Sequence, residues 1–326
     1  MKAIRIETHG GPDVLQLVDI PKPAPGEGQV LVKAHAIGVG KPDVLLRTGV
    51  YRWMPPMPAV PGTEMAGTVE AVGPGVGTHR PGDPVMVYHL KAGCYAEYAV
   101  VPAADATPLT DGIAFEDAVS IPNYQVAWAL VHRAARGVEV KRLYVNGAAG
   151  GVGSAVIQLA RLEGITVIAG ASSDTKCEFA RSQGAQHAIN YSREKVAARV
   201  MEITGGRGVD LVLDHLVGPS FTENLDMLAS MGMIVSFNAL GGMPDRDLFR
   251  EMRAHLPGSP AVRCFTMHSY DRDPAGKAEL AAKVASLLAQ GKVKPAIHAR
   301  LPLAEARRAH QMLDAREVLG KLVLVP

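Results

Sequence analysis

Cysteine is scarce in this chain of 326 residues: Cys94, Cys177 and Cys264 are its whole complement, each more than 80 residues from the next. That spacing supplies neither a disulfide framework nor a CxxC metal site, and free thiols suit a reducing cytosol. An excess of charge of either sign is lacking too. Thirty-four lysines and arginines face 32 aspartates and glutamates, a formal net charge of +2. Such a balance leaves no electrostatic footprint for nucleic acid or an anionic membrane. No apolar run reaches the ~18 residues a bilayer span requires. The start, Met1-Lys-Ala-Ile-Arg-Ile-Glu7, alternates apolar and charged residues like a strand and lacks a signal-peptide apolar stretch. Secreted, membrane-inserted, disordered and zinc-finger classes are therefore excluded, and a globular protein of the cytoplasm is expected.

Apolar material is plentiful, with 48% hydrophobic residues, and the length suits one large domain or two ordinary ones at ~100–200 residues each. Fifteen of the 23 prolines fall within residues 1–125. There, short Val-rich runs at Val30–Val32, Gly67–Val72, Pro84–Val87 and Tyr95–Val101 alternate with Gly/Pro turns, which predicts a barrel-like or sandwich-like β module. After about residue 125 the rhythm changes. Strands are expected at Leu143–Asn146, Thr166–Ala169, His187–Tyr191, Val209–Leu213 and Met233–Phe237. Helices are expected between them, at Ser154–Gly164, Asp174–Gln183 and near 193–203 and 220–230. Repeated β-α units with buried strands imply a doubly wound parallel sheet. Beyond it, helices near 274–290 and 303–314 and strands near 297–300 and at Lys321–Val325 close the chain.

The most informative motif is Asn146-Gly-Ala-Ala-Gly-Gly-Val-Gly153, set between a predicted strand and a predicted helix. Alanine at 148 replaces the first glycine of GxGxxG. Gly150 lets the backbone approach a pyrophosphate, and Gly153 lets the helix pack on its strand. Ala149, Gly151 and Val152 complete a turn whose free N–H groups face phosphate. The second strand should end in an acidic residue if a ribose 2′-hydroxyl is bound. Here it ends Gly170-Ala-Ser172-Ser173, followed by Lys176, and Tyr191 closes the third strand. Hydroxyls and a lysine attract a 2′-phosphate that a carboxylate would repel, so NADP(H) is expected over NAD(H).

A β module followed by such a domain resembles the medium-chain dehydrogenase/reductase superfamily over nearly the whole chain. Its most specific points are Gly62-Thr-Glu64-Met-Ala-Gly67 through Gly73 and the later Pro81-Gly-Asp83-x-Val85. In the zinc alcohol dehydrogenases of that superfamily a Gly-His-Glu stands where this chain has Gly62-Thr63-Glu64, and a cysteine ligand belongs near Gly40. The four clustered cysteines of the structural zinc are also missing, so no zinc is expected. Within the superfamily the pattern resembles the zinc-free, zeta-crystallin-like quinone oxidoreductases. The matches include Arg181 through Tyr191, Glu202 through Asp210 and Met233 through Phe237. That resemblance implies a GroES-like catalytic domain over residues 1–124, completed by 266–326, and a Rossmann domain over 125–265. It also implies NADPH held by Lys176 and Tyr191, and a homodimer that pairs Rossmann sheets edge to edge.

The substrate side departs from that family's pattern. An asparagine often found in Gly-(Ile/Val)-Asn-x-x-Asp is Gly40, a tyrosine two residues after the aspartate is Leu45, and a threonine beside the nicotinamide is Val126. Phe237 is followed by Asn238 in place of glycine. Without a metal, the reaction needs a good hydride acceptor in the interdomain cleft and a hydrogen bond to the oxygen that gains charge. Tyr51 is the candidate donor, with an aromatic packing role as its alternative. Trp53 heads a Met/Pro-rich rim, and Asn123, Tyr124 and Gln125 are candidates for the cleft floor, beside Gly40 and Leu45. Three functions follow: an NADPH-dependent quinone reductase, an enone or 2-enoyl double-bond reductase, and a non-catalytic NADPH- or RNA-binding protein. The balanced charge opposes RNA binding.

Overall fold

The computed structural model describes residues 1–326 and divides into two compact units, Met1–Pro122 with Lys294–Pro326, and Asn123–Val293. None of its helices is long and apolar enough to cross a membrane.

The first unit begins with an antiparallel ribbon of β1 (Lys2–Arg5) and β2 (Gln16–Asp19). The eleven-residue β3 (Gln29–Val39) is its spine, buried at Val30, Val32, Ala34 and Ala36 and exposed at Lys33 and His35, the period of a half-buried strand. It pairs antiparallel with β4 (Glu64–Val72), which pairs in turn with β5 (Pro84–Tyr88). The first half of β3 also pairs with β6 (Tyr98–Pro102), and β5 with β7 (Ala106–Pro108). A seven-residue helix, Lys41–Arg47, follows β3 directly, with Gly40 at its N-cap and Pro42 in its first turn.

The second unit is a six-stranded parallel sheet. Its strands are β8 (Arg142–Val145), β9 (Thr166–Ala171), β10 (His187–Asn190), β11 (Val209–Asp214), β12 (Leu228–Ser236) and β13 (Ala261–Cys264), in the order β10-β9-β8-β11-β12-β13. The order reverses between β8 and β11, which makes their carboxyl ends the switch point of a doubly wound sheet. The chain then returns to the first unit. There β14 (Ile297–Pro302) runs parallel to β15 (Lys321–Val325), and β15 joins the far half of β3. One long strand thus carries β6 on its early residues and β15 on its late ones.

Two expectations need correction. The segment near 220–230 is not a helix followed by a strand at 233. It forms 3-10 turns over Pro219–Met227, and β12 already begins at Leu228, in register with Val209. Met231, with a φ of 64°, sits within β12 where its register against β11 shifts. The second correction concerns residues 266–293, which pack with the second unit. Helix Pro274–Ala289 buries Leu280, Val284, Leu287 and Leu288. Its N-cap Asp273 also binds Arg133 at 2.6 Å, and that guanidinium lies 4.0 Å over the Tyr270 ring. Sequence periodicity marks this helix as amphipathic but does not say which core its apolar face joins.

Met231 itself yields a prediction. It is 67% exposed, so its side chain contributes little packing, while a left-handed residue with a Cβ costs about 1–2 kcal/mol. Met231→Gly is expected to recover up to about 1 kcal/mol, seen as a thermal midpoint raised by about 2–4 °C. An unchanged or lowered midpoint would show that this position carries no such strain.

Candidate functional site

In the second unit, β8 leads through Asn146 and Gly147 into the Gly-rich turn and then into helix Gly151–Leu162. Gly147 takes a φ of +59°. Gly150 is the extended N-cap, and no side chain caps the helix, so its first N–H groups are open to an acceptor of another kind. The turn is held by Ala148 N–H donating to Gly170 O at 3.1 Å and Gly150 N–H to Gly147 O at 3.0 Å. A Cβ on Gly153 would lie 2.5 Å from Gly147 O and 2.7 Å from Ala148 Cα. Only glycine lets the helix approach its strand so closely. Ala149 is buried, while Gly151 and Val152 are half-buried on the first turn of the helix.

The residues expected at a 2′-phosphate gather at the carboxyl ends of β9 and β10. Lys176 Nζ donates to Ser172 Oγ at 3.0 Å, and Lys176 N–H to the N-cap Ser173 Oγ at 3.3 Å. Tyr191 N–H binds Ala171 O at 3.0 Å, which brings the tyrosine beside the same strand end. Phe237 follows β12, with its N–H on Asp214 O, and Asn238 is exposed just beyond it. Asn123, Gln125 and Val126 are half-buried on helix Ile121–Ala129. Tyr124, on the same helix, is only 2% exposed and donates to Gln158 Oε1 at 2.8 Å, so its hydroxyl is engaged inside the second unit.

Sequence reasoning passed over a relay at the switch point. Asp214 and Asn146 are buried, and Asn146 Nδ2 donates to Asp214 Oδ1 at 2.6 Å. Asn146 Oδ1 then accepts from His215 Nδ1 at 2.6 Å and from His215 N–H at 3.1 Å. The His215 ring lies against Gly147 and 5.9 Å from the Phe237 ring. Burial holds this imidazole below its usual range, so it is neutral at neutral pH. A histidine directly after a strand-terminal aspartate was the only available signal.

In the first unit a second group of buried polar side chains surrounds the start of helix Lys41–Arg47. Asp43, 1% exposed, accepts from Gly40 N–H at 2.8 Å and Thr63 N–H at 3.1 Å. Burial, with the Glu64 charge added, pushes its carboxyl up to about 7. Glu64 and Lys321 form a buried ion pair, their side chains 7% and 5% exposed. Room for that pair depends on Gly38, where a Cβ would come within 2.5 Å of Glu64 Oε2 and 3.0 Å of Lys321 Cε. The ideal Cβ position of Gly40 lies 3.8 Å from Lys321 Nζ and 4.0 Å from Asp43 Oδ2.

Tyr51 is 8% exposed and packs edge-on to Trp53 at 5.5 Å. Burial, followed by Asp43 and Glu64, raises its hydroxyl to about 12, which keeps it a neutral donor. Trp53 and Leu45 are partly buried on the same apolar core. Cys94 is fully buried, and burial pushes its thiol well up, the condition of an inert cysteine.

The family model for the alcohol dehydrogenase GroES-like domain matches residues 26–111, and that for zinc-binding dehydrogenase matches residues 183–324. A quinone oxidoreductase of Pseudomonas aeruginosa is 35% identical over 329 residues, covering 100% of this chain and 99% of that one. The chain belongs to the quinone oxidoreductase family of the medium-chain dehydrogenase/reductase superfamily, a family of oxidoreductases. Among solved structures, Escherichia coli quinone oxidoreductase complexed with NADPH matches with a TM-score of 0.90 at 31% identity, covering 100% of both chains. A mycobacterial protein complexed with NADPH matches with 0.89 at 34% identity and the same coverage.

One of the two family models is described by zinc binding. No three His, Cys, Asp or Glu side chains are grouped to hold a metal ion, and Glu64 is already engaged by the Lys321 ammonium. The residues at the two positions of interest are Gly40 and Thr63, neither of which brings an imidazole or a thiolate.

Proposed function

We propose that this chain is an NADPH-dependent quinone oxidoreductase that works by hydride transfer without zinc. The observation that carries the reading is the Lys176–Ser172 pair at the end of β9, while the first carboxylate beyond the strand, Asp174, is taken up by Asn190 and Arg193. Bound NADPH supplies a hydride from its nicotinamide C4. The chain's own residues do the rest. The uncapped N-terminus of helix Gly151–Leu162 takes the pyrophosphate, and Lys176, Ser172 and Tyr191 hold the 2′-phosphate. Val126 and Phe237 flank the nicotinamide half. On the acceptor side, Tyr51 keeps its proton at neutral pH and donates a hydrogen bond to the oxygen on which charge develops. Trp53 and Leu45 supply an apolar wall for a flat acceptor. The departures from the family pattern at Gly40, Leu45 and Val126 support a second acceptor class, the conjugated enones.

The same reading includes a homodimer, because β13 has a neighbour on one side only and the segment before it exposes Met243, Phe249 and Leu256. It places the protein in the cytoplasm, where its three free cysteines stay reduced.

The deciding experiment measures NADPH and NADH oxidation with 1,4-benzoquinone and with a conjugated enone, in the wild type and in Lys176→Ala. A charge-assisted contact to phosphate contributes about 1.5–3 kcal/mol, so the variant is expected to raise the KM for NADPH about 10- to 100-fold. Its KM for NADH should change less than about twofold, because NADH carries no 2′-phosphate. Equal effects on both cofactors would defeat the 2′-phosphate assignment. No turnover of any acceptor by the wild type would defeat the reductase.

A further inference from the structure

At the switch point between β8 and β11, three polar side chains are arranged in series. Asp214 is saturated: its Oδ1 accepts from Asn146 Nδ2, Leu216 N–H and Val217 N–H, and its Oδ2 from Asn224 Nδ2 at 2.8 Å. Each of these partners is an N–H donor, so the carboxylate dictates the orientation of the Asn146 amide, NH2 toward Asp214 and carbonyl toward His215. That carbonyl in turn dictates the tautomer of the neutral imidazole. Nδ1 carries the hydrogen, and Nε2 is left with its lone pair. The ring rests against Gly147, where a side chain would overlap it, at the entrance to the Gly-rich turn.

A relay that fixes the tautomer and aim of a histidine is more than local packing needs. Doubly wound sheets bind a dinucleotide across the switch point, one half on each side. The 2′-phosphate residues lie on the β8-β9-β10 side, so the adenosine half belongs there. His215 and Phe237 terminate β11 and β12 on the other side, which receives the nicotinamide half.

We propose that His215 is a positioning residue for the cofactor, its Nε2 accepting a hydrogen bond from a hydroxyl of the nicotinamide ribose. Asn146 and Asp214 hold it in the tautomer able to do so. This inference rests on the NADPH reading above and extends it to a residue outside the Gly-rich turn. The contact is absent from any ligand that lacks the nicotinamide ribose, and that absence provides the control.

The test compares dissociation constants for NADPH and for adenosine 2′,5′-bisphosphate, measured by calorimetry on wild type, His215→Phe and His215→Gln, with thermal melts of each. Phenylalanine keeps the ring and removes the acceptor, whereas glutamine restores an acceptor oxygen. His215→Phe is expected to bind NADPH about tenfold more weakly and the bisphosphate within twofold of wild type, with His215→Gln recovering most of the NADPH affinity. Equal loss for both ligands, or a loss that glutamine does not recover, would mean that His215 merely supports the turn and would overturn the proposal. Unchanged NADPH binding in His215→Phe would overturn it as well. Failure of the cofactor reading looks different: the wild type itself would bind neither ligand.

Discussion

Lys321→Met is expected to cost about 3–5 kcal/mol of stability, the usual penalty for removing one partner of a buried ion pair. The loss arises less from the missing attraction than from what remains. Glu64, 6% exposed, and Asp43, 1% exposed, are left as two buried carboxylates without a cation between them. The double variant Lys321→Met, Glu64→Gln removes that imbalance and should recover at least half of the loss. Urea unfolding with an unchanged slope measures both. A single-variant loss below about 1 kcal/mol would mean that the pair contributes nothing net to the fold.

The same cluster predicts a pH dependence whose sign follows from Asp43. Its folded value, about 7, lies above the ordinary 3.8, so the folded state holds a proton that the unfolded state releases. Stability from this group is present in full below about pH 4 and is lost as pH rises through about 7. The size is at most of the order of 4 kcal/mol for a shift of roughly three units. Exposed carboxylates held low by cations, such as Asp174 and Asp273, slope the other way. The informative quantity is therefore the difference between wild type and Asp43→Asn, which should narrow as pH falls from about 7 to 4. In Lys321→Met the window should move upward, because the ammonium that favours the Asp43 carboxylate is gone.

The second large effect belongs to the Gly-rich turn. Gly153→Ala is expected to weaken NADPH binding at least about 100-fold, or about 2.7 kcal/mol. A methyl group 2.5 Å from Gly147 O and 2.7 Å from Ala148 Cα forces the helix away from β8. The N–H groups that would meet the pyrophosphate move with it. Gly150→Ala is the instructive partner. Its φ is −81° and its nearest protein atom would be 3.4 Å away, so the protein itself has room for that methyl. Its thermal midpoint should stay within about 1–2 °C of wild type, while NADPH binding falls because the methyl occupies space the pyrophosphate needs. A drop in midpoint as large as that of Gly153→Ala would show that position 150 serves the fold and not a ligand.

Much of the fold was legible because its signals are local. Alternation marks β3 at Val30, Val32 and Ala34. The parallel strands expected at Thr166–Ala169 and Val209–Leu213 contain short apolar runs, Val167–Ala169 and Leu211–Leu213, and Gly or Ser residues punctuate the helices between them. The strand at Leu228 and the packing of residues 266–293 were not legible. The first includes Met231 in a left-handed conformation that its side chain disfavours, at the register shift of β12 against β11. The second depends on which of two cores an amphipathic helix meets, and its own periodicity is the same in either case. Among the candidate site residues, Ser172, Lys176 and Tyr191 meet at one strand end because parallel neighbours align their carboxyl termini. The hydrogen bond of Tyr124 to Gln158, 34 positions away, has no sequence signature.

The sequence by itself therefore determined the two-part architecture, the glycine turn with its strand and helix, and the serines in place of a carboxylate directly at the end of β9. Each is written within a window of a few residues through backbone freedom, side-chain period or charge. The tertiary structure alone decided which buried charges would face one another. Glu64 meets Lys321 across 257 positions because β15 is laid against the far half of β3, beside the start of β4. Asp214 and His215 meet Asn146 across 68 and 69 positions because β11 is the parallel neighbour of β8 at the switch point. A buried polar group must find its partner inside the fold, and the order of strands in a sheet, not proximity along the chain, selects that partner.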